Sequence, residues 1–468
     1  MTASRRTRSN FALQHAVAWG QRLGLPVVVF EALRVGYRWA SPRHHTFLVQ
    51  GMADQARACA GAGVTYLPYV ERQPGEGKGL LAALAKKAAV VVADDSPVFF
   101  LPKIVAAAAR RLDVRLEAVD DYGLLPRRVA DRAFPTAHSF RTFLQKELPP
   151  HLLHMPVREP LAGVGKDTPD LPGEVVDRWR FVSATELDDP TQMIASLPID
   201  HTVAAVERCG GEVAGRQRLA TFVDDELATY AEDRNHPDAD AGSKLSPYLH
   251  YGHVGVHEAL MALAARFDWT PAQLGEPNRG ARHGWWGLGE HVESFLDELV
   301  TWREIGGNFA TLRDDIDAFE SLPKWAKTTM SEHADDPRDY HYSFAQLDEA
   351  RTHDEIWNAA QRQLRQEGIM HNYLRMLWGK LVYAWSPTPQ RALETLIELN
   401  NRYALDGRDP NSYSGIFWVL GRYDRAWGPE RPVFGKLRYM TSASTRRKLR
   451  IGEYLQRWGP TAGQGSLF

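Results

Sequence analysis

Cysteine is nearly absent: Cys59 and Cys209 are the only two in 468 residues. Two distant thiols supply neither a zinc cluster nor a disulfide framework, and such usage fits a reducing cytoplasm. No apolar run approaches the ~20 residues that cross a bilayer, so no membrane partner is expected. The opening MTASRRTRSN has no apolar signal core behind it. Net charge is also small, −2 overall, so the chain as a whole is no general polyanion binder. Charge can still be segregated within it.

What is present reads as globular, with 44% apolar and 24% charged residues. The length exceeds one hydrophobic core, and two or three domains are expected. Over the first 125 residues, β-branched runs at PVVVF (26–30), VTYLPYV (64–70), AVVVADD (89–95) and VRLEAVDD (114–121) alternate with helical stretches. That alternation predicts a parallel sheet covered on both faces, a Rossmann-like α/β domain over 1–147. The first strong element, SNFALQHAVAWGQRLG, is a helix with Ser9 or Asn10 as cap, where a strand is the usual opening. Six prolines between 148 and 175 argue against regular structure and predict a linker over 148–202. From 203 to 468 the spacing predicts an all-α domain, including single helices at VESFLDELVTWREIG and HNYLRMLWGKLVYAW.

Two motifs fail on inspection. GEGKG (75–79) is no phosphate loop, because Arg72 and Gly79 occupy the required Gly and Ser/Thr positions. His44 and His45 have no second ligand pair at metal spacing, so no metal is expected. No Gly-Xaa-Ser-Xaa-Gly elbow occurs either.

Other features carry more. Residues 422–450 hold nine basic residues against two acidic ones, interleaved with Tyr423, Trp427 and Tyr439 and preceded by Trp418. Cations that neutralise phosphates, mixed with rings that stack on bases, fit a nucleic-acid surface. LDGRDPNSY (405–413) places Asp406 and Asp409 around Arg408, a plain loop or the floor of a cofactor pocket. In GSKLSPYLHYG (242–252), amides with Ser243 or Ser246 are placed to hold a phosphate at a helix start. Trp378 and Trp385 are seven residues apart, about 10 Å along one helix face. By itself such a pair is usually core.

The stretches YAEDRNHPDADAGSKLSPYLHYG, FLDELVTWRE, WNAAQ, MHNYLRM, LNNRYALDGRDPN and DRAWGPERPVFGKLRYM resemble the photolyase and cryptochrome family. They are most similar to class II cyclobutane pyrimidine dimer photolyases. The resemblance is dense from about 230 to 454 and looser over the first 125 residues, which match the family's antenna-type domain. It implies light-driven repair of UV-damaged DNA by a monomer. Reduced FAD, once excited, would lend an electron to a flipped-out dimer and recover it.

Residue by residue, the resemblance makes Trp357, Trp378 and Trp385 an electron-transfer chain, since indole gives up an electron more easily than aliphatic neighbours. Tyr230, Ser243, Lys244, Leu245 and Ser246 match flavin phosphate and ribityl contacts, with Arg303 a further candidate. Arg375 and Asp406 match an ion pair beside the flavin ring, and Asn400 the asparagine facing its central nitrogen; Asp409 belongs to the same cofactor set. Glu298 matches the acid that hydrogen-bonds the dimer. Trp302, Met376 and Trp418 match the walls around it, and Arg438 a grip on the DNA backbone.

Departures are visible too. Asn372, a cofactor candidate, stands where class II chains have glycine and gives a class I pattern. Leu377 replaces a frequent tyrosine, which removes a tyrosine side branch of the chain. ARHGWWGLGE (281–290) is unmatched: a loop near DNA or packing. The chain begins where the family's first strand has already ended, which implies a sheet one strand short or a misassigned start, and leaves an antenna chromophore undecided. The alternative within the family is a cryptochrome with a signalling output; against it stand the Glu298, Met376 and Trp418 set and the lack of a long tail. A (6-4) photoproduct enzyme calls for a lesion-site histidine, and none matches clearly. Outside the family, a nucleic-acid-binding module without cofactor fits the basic cluster alone.

Overall fold

The computed structural model describes residues 1–165 and 168–460; the end of the expected linker's 148–175 stretch is thus covered except for 166–167, and the last residues of the expected helical domain, 461–468, lie outside it. Contacts divide the chain into two compact units. The first comprises 1–129, 147–224 and 244–272, and the second 130–146, 225–243 and 273–468.

In the first unit all four β-branched runs form strands. β1 (Val28–Leu33) pairs in parallel with β2 (Thr65–Val70), Val28 opposite Thr65. β3 (Val90–Asp94) pairs in parallel with β4 (Arg115–Val119), Val90 opposite Arg115. The two pairs are separate sheets, which corrects the expectation of one continuous sheet. The start of the chain lies between them without strand geometry. The Met1 ammonium donates to the Phe30 carbonyl of β1 at 2.8 Å, and the Thr2 and Ala3 N–H groups donate to the Asp94 carboxylate of β3. A side chain thus takes the place of a ladder of carbonyls. Burial by itself raises the Asp94 carboxyl, but the terminal ammonium and these N–H groups outweigh it and hold it below the usual range.

Helix α1 (Phe11–Leu23) starts at Asn10, whose side chain accepts from the Leu13 N–H, and ends at Gly24 in the left-handed conformation. Helix α2 (Pro42–Ala62) begins with proline in its first turn. It buries His44 and His45 completely. The first meets the Tyr251 hydroxyl at 2.7 Å and the second the Ser41 carbonyl at 3.0 Å, which makes both structural. The proline-rich stretch is less irregular than expected, with a 3₁₀ turn at Pro149–Leu153 and a short helix at Gly173–Arg178.

In the second unit, helices α3 (Glu290–Leu296) and α4 (Arg303–Leu312) are joined by a π-helical turn, Asp297–Trp302. The expected single helix is therefore interrupted. Asp297 in that turn makes a buried two-point ion pair with Arg141, at 2.7 and 3.0 Å. Downstream lie α5 (Glu355–Glu367), α6 (Asn372–Trp385), α7 (Pro389–Tyr403) and α8 (Pro410–Val419). Trp285 and Trp286 are buried, and the Glu293 carboxylate accepts from the Gly284 and Leu288 N–H groups. The two tryptophans of that stretch are packing, while Arg282, His283 and Gly284 beside them are exposed. Among the described residues no helix is long and apolar enough to cross a membrane.

Candidate active site

The spacing of Trp378 and Trp385 puts both on α6, but they are joined through a ring from another helix. Asp354 caps α5 by accepting from the Trp357 N–H at 2.9 Å. Trp357 then stacks on Trp378, with ring centres 6.3 Å apart and planes within 8°. It meets Trp385 edge-on at 5.6 Å. The spatial order is Trp378, Trp357, Trp385. The Trp357 Nε1–H donates to the Trp378 carbonyl and the Trp378 Nε1–H to Gln361 Oε1, both at 3.0 Å. All three rings are at most 5% exposed. Past Trp385 lie Tyr342 at 5.1 Å and His353 at 5.5 Å, residues that no sequence signal singled out.

On the same helix, Arg375 makes a two-point pair with Asp406, at 3.1 and 3.3 Å. Both side chains keep some exposure, 15% and 11%, so the pair borders open space rather than core. Asn400, near the end of α7, is 2% exposed. Its amide NH₂ donates to Ser412 Oγ at 2.9 Å and Asn401 Oδ1 at 3.1 Å. At the neighbouring helix start, both ring nitrogens of His371 are buried without a close hydrogen-bond partner. Polar atoms left over beside a partly open ion pair are what a polar cofactor ring needs, so these residues fit a flavin. Asp409 caps α8, accepting from the Asn411 N–H at 2.9 Å.

Glu298 sits on the π turn and pairs with Arg234 at 2.6 Å. Burial raises its carboxyl despite the arginine. Tyr230 packs edge-on against Phe295 at 5.7 Å, and burial pushes its hydroxyl up to about 12. Trp302 is half-buried at the end of the turn and Arg303 is buried at the start of α4. The Met376 methyl lies 3.6 Å from where a Cβ on Gly415 of α8 would stand. Trp418, also on α8, is half-buried, with the Arg438 guanidinium 5.4 Å from its ring centre.

A deoxyribodipyrimidine photo-lyase of Methanothermobacter thermautotrophicus is 32% identical over 460 residues, covering 98% of this chain and 93% of that protein. The chain belongs to the deoxyribodipyrimidine photo-lyase family. A family member from Potorous tridactylus is 31% identical over 469 residues, covering 98% of this chain and 80% of that protein. A bacterial class III photolyase from Agrobacterium tumefaciens shares the fold, with a TM-score of 0.71 at 17% identity over 98% of this chain and 85% of that one. No protein-family profile matches. The photolyase/cryptochrome architecture, an α/β region with parallel strands followed by a helical one, is thus the fold of this family member.

Several expected site residues have local settings of their own. Lys244 adopts a positive φ of 56°, Leu245 is buried, and Ser246 is exposed at the start of a helix only five residues long. So short a helix has little macrodipole to offer a phosphate. Ser243 is half-buried and Asn372 exposed. Within the basic cluster, Arg422 faces inward at 2% exposure, over Phe417 at 3.7 Å and Phe309 at 4.2 Å. It is a core cation and leaves the nucleic-acid surface to the others.

Proposed function

We propose that this chain repairs UV-damaged DNA in light, splitting cyclobutane pyrimidine dimers as a class II-like photolyase with reduced FAD. The observation that carries the reading is the near-full-length relationship to an archaeal deoxyribodipyrimidine photo-lyase. FAD supplies the light absorption and the electron; the protein supplies placement and electrostatics. Tyr230, Ser243, Lys244, Leu245, Ser246, Arg303, Asn372 and Asp409 are proposed as its contacts, with the Arg375–Asp406 pair and Asn400 along its ring. Region 1–147 is proposed as the antenna-type domain, and 203–468 as the part that holds flavin and DNA.

At the lesion, Glu298 hydrogen-bonds the bases of the dimer on which negative charge grows. Arg234 holds that carboxyl in place. Trp302, Met376 and Trp418 wall the flipped dimer and exclude water. Flipping costs a few kcal/mol, least for a damaged pair, which selects the lesion without reading sequence. Arg438 and the exposed basic residues of 425–450 bind phosphates. Trp378, Trp357 and Trp385 would be the residues that carry electrons toward a bound flavin.

Incubating reduced protein with dimer-containing DNA, with and without illumination, tests this. Dimers are expected to disappear under light alone. A purified protein without flavin absorbance that takes up no added FAD refutes the reading.

A further inference from the structure

Lys380 is fully buried on α6, two residues after Trp378. Its Nζ donates to the carbonyl of Val419, the last residue of α8, at 2.6 Å. There it lies 5.3 Å from the centre of the Trp418 ring. Gly379 makes the approach feasible, because a Cβ at that position would meet the Val419 side chain at 2.5 Å. Arg438 holds a second cation over Trp418 at 5.4 Å and also reaches Trp427 at 5.1 Å. Trp418 therefore carries two cations. Among the described residues, none stands over Trp357, Trp378 or Trp385, and the Nε1–H groups of Trp357 and Trp378 point at carbonyl acceptors instead.

The physical consequence is a sorting of indoles. Taking an electron from a ring leaves a positive charge on it. Fixed cations about 5 Å away oppose that charge, the more so away from water. A carbonyl on the Nε1–H favours it. Through the contact of Gly379 with Val419, Trp418 neighbours the start of the stacked series. An electron passing from Trp418 to an oxidised Trp378 would fill that hole and strand it on the ring that walls the lesion; no bond forms or breaks in such a transfer.

We propose that Lys380 and Arg438 keep Trp418 out of the donor pool, so that electrons are drawn only through Trp378, Trp357 and Trp385. The inference rests on the electron-transfer reading given above. Lys380 acts through Trp418, as a positioning residue. Burial pushes its ammonium down to about 7; Asp424 opposes the drop and Arg438 adds to it, and these are the charged groups that face it. The protection therefore weakens in mildly alkaline solution, while Arg438 stays charged.

The test oxidises flavin-loaded protein in the dark with azide radical and maps tryptophan oxidation by mass spectrometry. Lys380→Met is expected to raise Trp418 oxidation about thirty-fold, the range of one desolvated cation–π contact. Trp385 oxidation stays level, and Lys380→Arg remains near wild type. Wild type is expected to show the same rise between pH 6 and pH 9, and Lys380→Met none. Should Lys380→Met not fold, the wild-type pH series decides by itself. Unchanged Trp418 oxidation in the variant, or a flat wild-type profile, overturns the proposal. Trp378→Phe provides the separate control: if it photoreduces like wild type, the electron-transfer reading fails, and this inference falls with it.

Discussion

Trp357, Trp378 and Trp385 are in ring contact, almost fully buried and free of cations among the described residues, whereas Trp418 is half-buried with Lys380 and Arg438 close to its ring. The same side chain is thus given two environments on neighbouring helices. Dry stacking beside carbonyls suits a ring that loses an electron easily. Flanking cations suit a ring that holds a substrate and keeps its electrons. Burial cannot separate the two roles, since every one of these rings is at least partly buried; the charge around the ring does.

The contrast breaks most sharply at Trp378. Trp378→Phe is expected to slow photoreduction of oxidised flavin about 100-fold, a barrier rise near 2.7 kcal/mol. Light-driven repair by chemically reduced protein stays intact, and rapid absorbance measurements on both reactions check the split. Next in size, Asp406→Asn removes the charge that faces Arg375. Losing a hydrogen bond to a charged group costs about 1.5–3 kcal/mol, which should appear as flavin lost during gel filtration. Arg375→Lys is a milder version, because ammonium cannot make the two-point contact.

The lysine itself can be read through stability. With the folded Lys380 near 7 and an unfolded lysine near its ordinary value, the unfolded chain binds more protons across that interval. Stability therefore rises with pH, by at most about 1.4 kcal/mol per pH unit, above pH 7 and up to the unfolded value. Urea denaturation of wild type against Lys380→Met should show that slope only in wild type, with the variant the more stable below pH 7. The smallest effect is expected at the rim. Arg438→Ala should reduce the salt slope of DNA binding by about one while leaving the preference for damaged DNA nearly constant, measured by titration at several salt concentrations.

Much of the fold is legible from local pattern. Three of the four strands fall within the β-branched runs, β1 starts in its run and continues to Leu33, and Asn10 caps α1 as its sequence suggests, because such signals act over a few residues. The break between the two strand pairs is not local. It follows from the Met1–Ala3 segment bonding to Phe30 and to Asp94, partners far along the chain. Nor was the π turn legible: VESFLDELVTWREIG keeps helical spacing throughout, and the buried Arg141–Asp297 pair that anchors the turn joins residues 156 apart.

The site divides the same way. The resemblance named Arg375, Asp406, Asn400, Glu298 and the three tryptophans, but it said nothing of Arg234, Gln361, Ser412 or Lys380. Those partners lack a spacing rule, because they meet their targets across helices. The basic cluster shows the opposite limit: composition counted Arg422 with the surface cations, and folding turned it inward onto Phe417 and Phe309.

By itself the sequence determined most element types, the helical second half, the family and the presence of two indoles seven residues apart on one helix, since these depend on local periodicity and on long shared motifs. Only the tertiary structure decided that Trp357 stands between Trp378 and Trp385, and that Lys380 and Arg438 share Trp418. The reason is physical: ring order and ring charge are set by which helices touch, and contact between distant segments leaves no periodic mark on a chain.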